Sequence, residues 1–432
     1  MNIMLPAHVL LLLCSCTHAL HPYRVVFRDV HRAFRSEDVH SAAHDLGGTV
    51  DHVSTTSASL QLPDDDAAST LAMRSVLVRY VLEEWGAGAT LTEAAARARV
   101  PQNSPLAHGA SWRVRVQAPG RRTGLVNAHD AAIFRDLGDL LDQIPGPVKL
   151  KNAEEDVAVL MRGEDVVIGR VVARGGSTEL LSQYRVADRG YRGSTTMDAT
   201  LAFVTASFAR VRPGDVVLDP FCGTGGNLLA ACYFSRCAGI GADADARTLL
   251  RGTEFWADGS LRLDARLRKA QNMANVGGRR EKKRGEPSLM KDASIRRNFE
   301  DRGLPPPALI VSDVAALNGR LDDDEYYFDG AAACQGIDAI VCDPPYGLRE
   351  RVDVGAAGAP AWRPALFALA ARRLRAGGRL AFWAPSSIDA APALPGDVGR
   401  ELPPSLRVVA AATQALGGTR ARTLLAVEKT LL

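Results

Sequence analysis

Two short runs contain the residue types that chemistry requires. Asp219-Pro-Phe-Cys-Gly-Thr-Gly-Gly226 follows the apolar Val216-Val-Leu218, and Asp343-Pro-Pro-Tyr-Gly347 follows the apolar Ala339-Ile-Val-Cys342. A glycine-rich turn between a strand and a helix lets a ligand lie against backbone that any Cβ would block. Gly223, Gly225 and Gly226 provide such a turn, with Asp219, Phe221 and Thr224 beside them. Two further carboxylates end apolar runs. Asp243 closes Gly239-Ile-Gly-Ala-Asp243 and suits the two hydroxyls of a ribose, while Asp313 closes Val311-Ser-Asp313 and suits an adenine amine. The Gly223-Thr-Gly-Gly226 spacing lacks the third glycine of the nicotinamide-dinucleotide fingerprint, which disfavours that class.

The second run suits an amine. A base amine is a poor nucleophile because its lone pair is delocalised into the ring. Hydrogen bonds from its N–H groups to Asp343 and to the Pro344 carbonyl favour a pyramidal nitrogen with its lone pair aimed outward. Pro344 and Pro345 supply carbonyls without competing N–H groups and stiffen the loop, and Tyr346 offers a face on which an extruded base can stack. Together the runs imply methyl transfer from S-adenosylmethionine to an exocyclic amine, with catalysis mainly by positioning and Asp343 as proton acceptor.

These groups work together only if the chain brings several strand ends to one rim. From Ser194 onward it alternates: strands are expected near 216–218, 238–242, 308–311, 338–342 and 379–383, with a capped helix start at Thr195-Thr-Met-Asp198 and a helix from Leu228 onward. That repeat predicts an α/β domain over 181–432, a parallel sheet covered on both faces. Residues 257–297 are basic, polar and weakly periodic, and are expected to form an insertion with a short helix near 261–274. Upstream, residues 21–180 predict a smaller α+β module. Its strands are expected at 23–27, 112–116, 157–160 and 166–168, and its helices at 36–46 and 71–85, each closed by glycine.

The 432 residues carry 47% hydrophobic and 23% charged side chains and a formal net charge of +3, too mild to announce a nucleic-acid binder. Seven cysteines without paired spacing point to reduced, buried thiols and to no metal site. Residues 1–20 include the apolar Val9-Leu-Leu-Leu-Leu-Cys14, which resembles a signal-peptide core but has no basic residue before Arg24 to supply the positive n-region, and is too short to span a membrane. A cytoplasmic location is expected, with residues 1–20 an extension of unassigned role.

Beyond the two runs, the chain resembles the catalytic subunits of eukaryotic tRNA guanosine-10 N2-methyltransferases. The likeness lies in Phe27-Arg-Asp-Val-His31 with Phe34-Arg35, Val148-Lys-Leu-Lys151, Ile168-Gly-Arg170, Ser194-Thr-Thr-Met-Asp-Ala199, Asp343-Pro-Pro-Tyr-Gly-Leu-Arg-Glu350, Phe382-Trp-Ala-Pro385 and Arg422-Thr-Leu-Leu-Ala-Val-Glu-Lys429. The resemblance implies a class I, Rossmann-like methyltransferase domain preceded by a THUMP-like RNA-binding module, S-adenosylmethionine as donor and the N2 amine of guanosine 10 in tRNA as acceptor. It further implies a small zinc-binding activator subunit, RNA contacts from Lys149, Lys151, Arg170 and Arg349, and no membrane. The readings set against it are an rRNA guanine-N2 or DNA adenine-N6 methyltransferase, and a catalytically inactive tRNA-binding protein.

Overall fold

The computed structural model describes residues 19–118, 125–162, 165–193, 196–236, 239–249, 294–322, 336–346 and 360–430. Most of the basic insertion, the helix expected within it, residues 1–18 and Arg349-Glu350 lie outside them. The insertion is bounded at its far end: Ser294 caps a helix Ile295–Glu300, and Ile295 and Phe299 are fully buried, so the methyltransferase core resumes before residue 297.

The N-terminal strands are β1 (His21–Phe27), β2 (Thr49–Val53), β3 (Ser57–Leu62), β4 (Val78–Gly88), β5 (Trp112–Gln117), β6 (Val126–Asn127), β7 (Glu155–Arg162) and β8 (Asp165–Arg174). They form one sheet in the order β2-β3-β1-β4-β8-β7-β5-β6, antiparallel except for the β5–β7 pair. The helix expected over 71–85 is not there. A helix Asp65–Arg74, with Asp64 accepting the Ala67 N–H at 2.8 Å, ends at the extended Ser75, and β4 follows. Val76, Val78 and Val81 are β-branched and prefer the extended state. Paired on one edge by β1 and on the other by β8, β4 is buried on both faces, so its apolar residues do not alternate and periodicity alone cannot separate it from a helix. Gly86 ends no helix. It admits the close passage of helix Leu91–Arg97, where an added Cβ would stand 2.6 Å from the Ala94 carbonyl oxygen.

The second sheet contains β9 (Val217–Asp219), β10 (Ile240–Asp243), β11 (Ala308–Val311), β12 (Ile337–Cys342), β13 (Leu374–Ser387), β14 (Leu406–Gly417) and β15 (Arg420–Lys429). Its order is β11-β10-β9-β12-β13-β15-β14. Strands β9 to β13 run parallel as expected, whereas the β14–β15 hairpin adds an antiparallel edge. The chain moves outward from β9 to β11 and then returns to β12, so the sheet order reverses between β9 and β12. In open α/β sheets the crevice at that reversal is where ligands bind.

The two sheets are tightly joined. Helix Ser177–Tyr184 contributes Leu180 and Tyr184 to the methyltransferase core, so the boundary expected at 180/181 falls inside a helix. Phe34, Val76 and Leu77 of the N-terminal module belong to the same buried cluster as Phe203, Phe208 and Trp383. Ion pairs Arg379–Glu37 (3.0 Å) and Arg212–Asp45 (2.5 Å) reinforce the joint.

Candidate active site

Four carboxylates stand at the carboxyl ends of adjacent parallel strands: Asp219 ends β9, Asp243 ends β10, Asp313 follows β11 and Asp343 follows β12. Their roles differ. Asp219 is 1% exposed and accepts the Phe221 N–H at 3.0 Å, so it shapes the turn from within. Burial pushes its carboxyl well above the usual range, with the charges of Asp243 and Asp343 adding to the rise. Asp243 accepts the N–H of Gly223 and of Asp245, each at 2.8 Å, tying the glycine turn to the end of β10. Burial raises its pKa, and those N–H donors oppose the rise. Asp313 is exposed and accepts the Ala316 N–H at 2.9 Å.

The turn itself fits a ligand. Gly223 (φ 51°) and Gly225 (φ 80°) hold left-handed backbone, and a Cβ at Gly223 would meet nothing within 4 Å. Open space therefore lies over the turn, between Asp243 and the start of helix Gly226–Ser235. Thr224 Oγ1 bonds Thr196 Oγ1 at 2.9 Å, which fixes the segment leading into the Asp198-capped helix Ala199–Phe208. Phe221 packs edge to face against Trp362 at 5.7 Å.

On the far side of the reversal, Asp343 receives the Tyr346 hydroxyl on Oδ1 and faces Arg422 Nη1 at 3.8 Å from Oδ2. The Pro345 carbonyl accepts Trp362 Nε1 at 3.2 Å, which clamps the loop, and Pro344 is buried. The structure thus brings together Asp219, Phe221, Gly223, Thr224, Gly225, Gly226, Asp243, Asp343, Pro344, Pro345 and Tyr346 around one crevice, with Asp313 at its outer end. Three residues that sequence reasoning passed over join them: Thr196, Trp362 and Arg422. Arg422 stood out in the sequence only within the run Arg422-Thr-Leu-Leu-Ala-Val-Glu-Lys429 that carries the family resemblance, with no role attached to it.

The RNA-contact expectation divides. Lys149 and Lys151 are exposed, beside the exposed Val148 and Leu150. Arg170 is not available to RNA: it is 4% exposed and ion-paired to Glu83 (2.9 Å), Asp65 and Glu155 (3.7 Å). Its place on the interior of β8 requires carboxylate partners, because a buried lone charge is prohibitively costly. Arg349 lies outside the described residues. Cys222, Cys232 and Cys342 are buried and not in disulfides, and the other four cysteines lie outside the described residues. Among the described residues no helix is long and apolar enough to cross a membrane.

Comparison with known proteins agrees with this geometry. The family described as "Tmrp11 THUMP N-terminal domain" matches residues 21–165, and that described as "RMKL-like, methyltransferase domain" matches residues 187–277. The chain is similar to tRNA (guanine(10)-N(2))-methyltransferase TRMT11 of Homo sapiens, 28% identical over 360 residues, covering 78% of this chain and 67% of the relative. It is 26% identical over 405 residues to the tRNA (guanine(10)-N(2))-methyltransferase of Saccharomyces cerevisiae, covering 85% of each. Among solved structures, TrmN from Thermus thermophilus is 20% identical with a TM-score of 0.41, covering 95% of this chain and 100% of that one. The chain is thus an enzyme with a THUMP N-terminal domain ahead of a Rossmann-like methyltransferase domain, similar over most of its length to these tRNA (guanine(10)-N(2))-methyltransferases.

Proposed function

We propose that this enzyme methylates the exocyclic N2 amine of guanosine 10 in tRNA, with S-adenosylmethionine as donor. The single observation that supports it most is the placement of Asp343 and the glycine turn on opposite sides of the sheet reversal, where acceptor and donor sites face one crevice. Gly223, Gly225 and the start of the following helix suit the amino-acid end of the donor, Asp243 its ribose and Asp313 its adenine. When bound there, the donor supplies an activated methyl group on a sulfonium and departs as a neutral thioether. Asp343 and the Pro344 carbonyl accept the two N–H groups of the amine and direct its lone pair across the crevice. As the nitrogen gains the methyl carbon it loses one proton, which Asp343 accepts.

The N-terminal module holds the folded tRNA by shape and backbone, with Lys149 and Lys151 as phosphate contacts. A small zinc-binding activator subunit completes the active heterodimer, a reading that follows from the relatives' family and not from this chain's residues. Activity in the cytoplasm accords with it. Nucleoside mass spectrometry decides the matter: tRNA from cells lacking the protein is expected to lose N2-methylguanosine at nucleotide 10 and regain it on complementation. Unchanged N2-methylguanosine at that position would refute the proposal.

A further inference from the structure

The Asp-Pro-Pro-Tyr loop aims an amine without saying which base bears it, since adenine, cytosine and guanine all carry one. A second polar group stands on the same rim. Arg422 is the third residue of β15, in register with Pro385 of β13, and because β15 runs antiparallel its first residues lie at the carboxyl end of the parallel strands. The guanidinium lies over the Trp383 ring, 4.3 Å from its centroid. Nε donates to Gln414 Oε1 at 2.8 Å and Nη2 sits 3.6 Å from Met197 Sδ. Nη1 is left facing Asp343 Oδ2 at 3.8 Å, an ion-pair distance too long for a hydrogen bond. The two side chains are 14% and 21% exposed.

We propose that Arg422 reads the base by donating to O6 of guanine while Asp343 accepts from its amine; this rests on the guanine-N2 reading above. The pairing edge of guanine presents an acceptor (O6), a donor (N1–H) and the amine in that order. A guanidinium followed by two carboxylate oxygens presents the complement: Nη1 to O6, Oδ2 from N1–H and Oδ1 from the amine. Each carboxylate oxygen has two acceptor positions, so Oδ1 can keep Tyr346 while taking the amine. Adenine and cytosine put an unprotonated ring nitrogen beside their amine, opposite Oδ2, and two acceptors then meet without a proton between them. The base is discriminated by a residue outside the loop that activates it.

The test uses full-length tRNA assembled with guanosine or 2-aminopurine at nucleotide 10, assayed with the heterodimer. 2-Aminopurine keeps the target amine but lacks O6 and the N1 proton. Wild-type enzyme is expected to prefer guanosine in kcat/KM by about tenfold to hundredfold, the range of a lost bidentate contact. In Arg422→Gln that preference is expected to shrink, through loss on guanosine and not on 2-aminopurine, to the part that Asp343 Oδ2 keeps by reading the N1 proton, and in Arg422→Lys to fall between. Equal losses on both bases, leaving the ratio at its wild-type value, would mean a structural role only and overturn the inference. Arg422→Lys gives the same readout if the glutamine variant fails to fold. A wild type active on guanosine but without preference sinks this inference alone; one that leaves nucleotide 10 unmodified sinks the guanine-N2 reading as well.

Discussion

Phe34 of the N-terminal module meets Trp383 of the methyltransferase sheet edge to face, with centroids 5.6 Å apart and planes at 60°. Phe208 meets the same phenylalanine at 6.1 Å, and Trp383 Nε1 donates to Thr205 Oγ1 at 2.9 Å. The indole that receives Phe34 also carries Arg422 on its face. Packing between the modules therefore backs the acceptor side of the crevice directly.

Phe34→Ala is expected to cost about 3–5 kcal/mol of stability, the usual range for emptying a buried aromatic site. Chemical denaturation of the full chain measures it. A midpoint unchanged from wild type would mean that the two modules do not depend on this contact.

Asp343→Asn keeps the shape of the side chain but removes its charge and half of its acceptor capacity. Methyl transfer is expected to fall by about 10²–10⁴-fold, the contribution of a positioned proton acceptor. Donor affinity by calorimetry is expected to stay near wild type, since Asp219 and Asp243 remain. Near-normal turnover would rule out the proposed amine geometry.

Tyr346→Ala is expected to lose more activity than Tyr346→Phe. The alanine loses both the stacking surface, about 1–3 kcal/mol, and the hydroxyl bond to the Asp343 carboxylate, about 1.5–3 kcal/mol, whereas the phenylalanine loses only the latter. Kinetics of the two variants side by side check the order, and equal losses would place the importance in the hydroxyl.

Asp243→Ala is expected to weaken donor binding by about 1–3 kcal/mol, the penalty for leaving buried polar groups unpaired. The glycine turn also loses its N–H anchor at Gly223, so Tm is expected to fall in the same variant. Calorimetry reports the first effect and thermal melting the second; unaltered donor affinity would remove Asp243 from the donor site.

Asp219→Asn carries a signed pH dependence. The folded carboxyl has its pKa raised by burial well above the ordinary value of 3.8, so the folded state binds its proton more tightly than the unfolded one. The wild type's stability from this group is fully present below about pH 4 and is lost as pH rises through the folded pKa. Asparagine retains an acceptor for the Phe221 N–H and has no such loss. Its Tm relative to wild type is expected to climb from pH 4 to pH 8, and a flat difference would place the ionised carboxylate in comfortable solvation.

Both chemical runs were legible because the requirement was local: a carboxylate at a strand end and glycines at positive φ leave a trace in adjacent residues. The parallel strands were legible for the same reason, and so was a helix start near Thr195-Thr-Met-Asp198, although the cap proves to be Asp198 at its end. What escaped was set by distant partners. β4 resembled a helix because burial on both faces erases alternation, and only its pairing with β1 and β8 reveals the strand. Arg170 resembled an RNA contact because its charge is visible in sequence, while the three carboxylates that neutralise it come from other elements. Arg422 is separated by 79 positions from Asp343, which it faces only through the hairpin register. The insertion was read four residues too long at its end because Ser294-Ile-Arg-Arg297 is basic in composition, although its helix packs Ile295 against the glycine turn.

The joint between the modules makes the enzyme a ruler. Aromatic seating at Phe34, the Arg379–Glu37 and Arg212–Asp45 clasps, and a connecting helix sunk in the catalytic core set one span between the N-terminal sheet and Asp343. If RNA docks on that sheet as proposed, the nucleotide modified is the one that the span reaches, whatever its neighbours spell. Lengthening the docked arm by a base pair would move the register and not the enzyme.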